Sequence, residues 1–73
     1  MTARDPMSST EFIAAISSLG WSVRQAADEL GVNERSARRW TQGTRPIPPD
    51  IERWLRAAAA WMRENPPPQR RGA

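Results

Sequence analysis

An all-α domain of four short helices is what this sequence predicts, on three observations. Apolar residues recur three to four positions apart in four separate stretches, the pattern of a helix with one buried face. Each stretch opens on a residue suited to a helix start: Ser8 or Ser9, Ser22, Asn33, and Pro48 or Pro49. The first three close on Gly20, Gly31 and Gly43. No strand alternation and no internal repeat interrupts the series.

The elements follow in order. Residues 1–7 carry no periodicity and are expected to be a disordered N-terminus, ahead of a domain spanning 8–64. Ser8 and Glu11 have capping-box spacing, and Phe12, Ile13, Ile16 and Leu19 form the apolar stripe of a first helix that Gly20 stops. Ser22 and Gln25 repeat the start signal. Val23, Ala26, Ala27 and Leu30 then make a second helix of two turns ending at Gly31. Asn33 caps a third helix running to about Gln42, with Ala37 and Trp40 inward and Gly43 as its stop. "TRPIPPD" is an extended link, because each proline biases the residue before it away from helical angles. A fourth helix carries Ile51, Trp54, Leu55, Ala58 and Met62 as one stripe to about Arg63. The tail "NPPPQRRGA", residues 65–73, is expected to be disordered, its Arg70 and Arg71 serving as solubilising charge.

Composition excludes several classes of function. A chain of 73 residues is one small domain, which buries only roughly 60% of the unfolded surface and leaves little room for a deep cleft. It has no Cys and no His, which removes disulfides, thiolate metal sites and the commonest acid/base group. The acids, Asp5, Glu11, Asp28, Glu29, Glu34, Asp50, Glu52 and Glu64, are scattered over helix starts and polar faces with no nucleophile or base to join them. An enzyme, a metal site, a cofactor and a small-molecule ligand are therefore not expected. The longest apolar stretch, residues 57–62, falls far short of the ~20 residues of a membrane span. A cytoplasmic location without membrane contact is expected.

The net charge of +3 matters less than where it lies. Residues 22–45 hold Arg24, Arg35, Arg38, Arg39 and Arg45 against Asp28, Glu29 and Glu34, and the tail adds two more arginines. All eleven cations are Arg, which suits bidentate contacts to phosphate and guanine and is equally what a GC-rich coding sequence produces.

A helix-turn-helix needs a small residue midway along its first helix, a residue tolerant of left-handed angles in the turn, and apolar anchors on both helices. Ala27, Gly31 and Ala37 stand at A-x3-G-x5-A, with Ala26, Leu30, Val32 and Trp40 in the inward positions. With "ERSARRW", "GTRPIP" and a following helix containing "WL", residues 9–62 resemble the Cro and phage-repressor (XRE-type) regulators. The resemblance implies a compact four-helix, lambda-repressor-like DNA-binding domain. Family members often carry Gln at the position of Val23, so Arg24 or Gln25 is expected to take over its phosphate contact.

The outward face of the third helix is then Asn33, Glu34, Arg35, Ser36, Arg38, Arg39 and Gln42. By the family's geometry Asn33, Glu34, Arg35 and Arg39 are expected on base edges in the major groove, the arginines on guanine and Glu34 on a cytosine amino group. Ser22, Arg24, Gln25, Ser36, Arg38, Gln42 and Arg45 are expected on phosphates. Glu34 and Arg38, four apart, also suit a simple pair on a solvated face.

The fourth helix offers more apolar surface than one side can bury, so Trp54, Ala58, Trp61 and Met62 are expected in a homodimer interface, unless Trp61 folds back on Phe12 or Ile13. Together these features point to a regulator of transcription that binds double-stranded DNA, most simply a dimeric repressor on an inverted repeat. The alternative is an antitoxin-like or adaptor module that uses the helix-turn-helix as a scaffold for protein contacts.

Overall fold

A computed structural model of the chain describes residues 6–68, in which α1 (Ser9–Ser18), α2 (Val23–Leu30), α3 (Glu34–Gln42) and α4 (Pro49–Glu64) follow one another. The expected disorder of residues 1–5, that of 69–73, and the role given to Arg70 and Arg71 lie outside the described residues.

Each of the first three helices starts on the capping residue legible in the sequence. The side-chain oxygens of Ser8, Ser22 and Asn33 accept from the backbone N–H groups of Glu11, Gln25 and Ser36 at 3.1, 3.1 and 2.7 Å. Each satisfies a donor that has no partner within its helix. The three helices also end alike. Trp21 N–H donates to the Ile16 carbonyl at 2.9 Å, Val32 to Ala27 at 3.0 Å and Thr44 to Arg39 at 3.0 Å, each reaching back over a glycine with positive φ. This six-to-one closure is the Schellman arrangement. Pro49 opens α4 from its first turn, where the missing N–H costs nothing.

At Gly31 the backbone lies at φ +71°, and an added Cβ would meet nothing within 4 Å. A side chain there would fit the space but strain the chain. The turn between α2 and α3 thus depends on backbone freedom, and it lets Ala26 and Ala27 of α2 and Ala37 of α3, all buried, sit in close helix packing.

The core joins Phe12, Ala15 and Ile16 of α1 to these alanines, to Trp40 of α3 and to Leu55 and Ala59 of α4. Three expectations need correction. Met7, placed in the fraying segment, is buried in this core, because the chain ahead of α1 folds back over the α1–α4 groove. Ile13, placed in the α1 stripe, is 44% exposed; the inward position next to Phe12 and Ile16 falls to Ala15 instead. On α4 the residue that packs most tightly beside Leu55 is Ala59, and Ala58 is half-buried at its edge.

An ion pair invisible in the local pattern ties α1 to α4. Arg56 Nε and Nη2 donate to the two carboxylate oxygens of Glu11 at 2.7 and 3.0 Å, across 45 residues of chain. Arg56 Nη1 also lies 3.0 Å from Glu52, one turn earlier on α4. The hydrogen bonds from Arg56 hold the Glu11 carboxyl below its usual range; partial desolvation opposes them, while the Arg56 charge and the Ser8 backbone amide add to them. Arg56 is thus half-buried and structural.

Two outcomes test this account. Gly31→Ala should lower stability by ~1–2 kcal/mol from left-handed strain alone, and Gly31→Asn by less, read from thermal melts. Glu11→Gln should cost roughly 0.2–1 kcal/mol at neutral pH, the range of a partly exposed pair. Because the folded pKa of Glu11 is depressed, its contribution is present above the ordinary carboxylate range and lost as pH falls through the lowered value. The melting curves of wild type and Glu11→Gln should therefore converge in acid.

Candidate nucleic-acid interface

The position of α3 is set from its buried side. Ala37 and Trp40 are inward, and the Trp40 ring meets Phe12 of α1 edge-on, with centroids 5.8 Å apart and planes at 83°. An edge-to-face contact suits the ring quadrupoles and fixes the rotation of α3 about its own axis. With that rotation fixed, the opposite face carries Glu34, Arg35, Arg38, Arg39 and Gln42, which line one open depression. Arg35, Arg38, Arg39 and Gln42 are exposed.

Within this face Glu34 and Arg38 form an ion pair and hydrogen bond along the helix, as their spacing allowed. Arg35 and Arg39, also one turn apart, stand beside it. Asn33 uses its side-chain oxygen to cap α3, which leaves its amide N–H groups as the part able to donate outward. The Thr41 hydroxyl donates to the Arg38 carbonyl at 2.7 Å and the Thr44 hydroxyl to that of Arg39 at 3.3 Å, satisfying the last turn of the helix from within.

A second groove brings Arg45 next to the same helix, lined by Ser36, Arg39, Trp40, Arg45, Pro46 and Pro48. Ser36 is half-buried there and Arg45 exposed. Ser22, Arg24 and Gln25 line neither groove. They occupy the start of α2, where Arg24 and Gln25 are exposed and no acidic residue offsets the positive end of the helix. The Ser22 hydroxyl accepts from Gln25 N–H and keeps its own proton to donate.

The residues expected in a dimer interface lie on one side of α4 and differ in exposure. Trp54 and Trp61 are 51% and 61% exposed, so Trp61 is not folded back onto α1. Ala58 and Met62 are half-buried. Trp54 stacks on Trp21, at the turn after α1, with centroids 6.0 Å apart and planes at 12°. Neither period nor spacing connects Trp21 to Trp54; only the packing of α4 does.

Residues 11–45 match the homeodomain-like domain family, a helix-turn-helix fold that here takes in α1 from Glu11, α2, α3 and Arg45 and leaves α4 outside. No curated protein and no solved structure matches the chain. A helix-turn-helix domain of this kind suggests DNA as the partner. No helix among the described residues is long and apolar enough to cross a membrane.

If Trp40 sets the angle of α3, its removal should undo the fold and not merely the face. Trp40→Ala should cost ~3–5 kcal/mol, most of what so small a domain has, and far-UV circular dichroism should show lost helix at room temperature. Arg35→Ala, on the exposed side of the same helix, should melt like the wild type.

Proposed function

We propose that this chain is a cytoplasmic, sequence-specific regulator of transcription that binds double-stranded DNA, acting as a dimeric repressor of the Cro and phage-repressor type on an inverted repeat. The observation that carries the reading is a coincidence: the one face of α3 that core packing leaves open is the face that holds three arginines and a carboxylate. Arginine presents a rigid fork of donors that fits guanine O6 and N7 or a phosphate. The fourth helix packed on α1 supports the four-helix, lambda-repressor-like arrangement over a bare three-helix unit.

In this reading Arg35 and Arg39 take guanines. Glu34 takes a cytosine amino group when Arg38 swings away to a phosphate, and the Asn33 amide reaches a neighbouring base edge. Ser22, Arg24, Gln25, Ser36, Gln42 and Arg45 hold the backbone on either side of the groove, with the positive end of α2 adding to the attraction. Two copies, joined through α4, place two recognition helices ~34 Å apart on one face of the duplex. An antitoxin-like or adaptor module would use the same exposed tryptophans and need no DNA.

Binding to a duplex recovered by selection from a random pool separates these. Affinity should fall steeply with salt, because neutralised phosphates release counterions. Arg35→Ala and Arg39→Ala should each cost ~1–3 kcal/mol and relax preference at one base pair, whereas Arg45→Ala should weaken all sequences alike. Uniform losses in the Arg35 and Arg39 variants would remove the base-reading assignment, and no salt-dependent binding at all would favour the interaction module.

A further inference from the structure

One helix face of this molecule is apolar, exposed and symmetric about its own middle. Trp54, Ala57, Ala58 and Trp61 recur at i, i+3, i+4 and i+7 on α4, the spacing of a packing stripe, yet the side of α4 that meets the core is the one through Ile51, Leu55 and Ala59. The two tryptophans are two helical turns apart and so lie within about 20° of each other around the axis. Between them Ala57 is exposed and Ala58 half-buried, so the centre of the stripe is low and its ends are high. The Trp54 ring is already held by its stack on Trp21, which leaves its outer surface open in a fixed orientation.

The flank of the same stripe carries charge near both ends, Asp50 and Arg53 at one and Glu64 at the other. Arg53 and Glu64 lie within about 20° of each other around the helix, near its two ends, and both are exposed. A surface that is aromatic at both ends, small in the middle and oppositely charged along one edge is complementary to itself turned end for end.

We infer that α4 pairs antiparallel with α4 of a second copy, around a two-fold axis passing beside Ala57 and Ala58. This rests on the dimeric reading above and gives it a register. Turning α4 about that axis sets Trp54 against the partner's Trp61, twice, and leaves each alanine beside its counterpart, where small side chains permit close approach of the helices. Arg53 comes within about two residues, roughly 3 Å along the axis, of the partner's Glu64 on the same flank, inside the reach of both side chains. A two-fold interface of this kind is isologous, so every contact is made twice. A parallel pair would put Arg53 and the partner's Glu64 on opposite flanks and lose this complementarity.

Charge reversal reads the register directly. Sedimentation equilibrium of the full chain across micromolar concentrations at low salt should give a dimer for the wild type. Arg53→Glu alone and Glu64→Arg alone should each raise the dissociation constant roughly tenfold, because two rim attractions become two repulsions. An equimolar mixture of the two single variants should recover dimerisation as heterodimers, and so should the double variant Arg53→Glu/Glu64→Arg. Both positions are on the surface, and circular dichroism of each variant separates lost association from lost folding. A wild-type dimer that single reversals leave unmoved, or that the mixture does not restore, overturns the antiparallel register while the dimeric regulator stands. A wild-type monomer overturns both.

Discussion

The contact between Trp40 and Phe12 decides what the rest of this molecule can present. α3 has only nine residues, too few to hold a helix by propensity alone, so its existence and its rotation both come from what it buries. What it buries is chiefly one indole, edge-on to a phenyl ring that is itself fully enclosed. Once that ring is seated, the arginines have nowhere to point but outward. The positive face is therefore a consequence of the core, and a helix turned by even a third of a revolution would carry guanidinium groups into an interior that, among the described residues, buries no carboxylate to receive them.

Around that contact the domain divides its work between two kinds of force. Apolar packing holds α1, α2 and α3 together through small, fully buried side chains at close range, Ala26, Ala27 and Ala37. The fourth helix is added by Leu55 and Ala59, and by the bidentate pair of Arg56 with Glu11. Planar guanidinium and carboxylate groups constrain direction as well as distance. The pair thus orients α4 on α1, and so fixes which way the tryptophan stripe faces.

Much of this was legible in the sequence because the signals are local. Ser8, Ser22 and Asn33 announce helix starts a few residues from the backbone groups they satisfy, and Gly20, Gly31 and Gly43 announce stops in the same way. The outward set on α3 was legible too, since a short helix with Ala37 and Trp40 inside leaves a calculable remainder. What escaped the sequence is nonlocal. Glu11 with Arg56, and Trp21 with Trp54, depend on how α4 crosses α1, and no spacing within either element encodes that crossing. Ile13 failed for a related reason: an apolar residue on the edge of a stripe is inside or outside according to its neighbour helix, not its own period. Met7 was hidden because a single buried side chain before a helix makes no pattern.

The way α3 closes on its own caps has a consequence for how this protein can change over generations. Asn33 and Gly43 bound α3 without help from the residues between them that face outward, and Trp40 anchors it from the other side. Arg35, Arg38 and Arg39 consequently carry almost none of the fold, and substitutions at such exposed positions typically shift stability by no more than about 0.5 kcal/mol. The exposed face of α3 is then a cassette, open to drift and to selection while the frame that displays it stays unchanged.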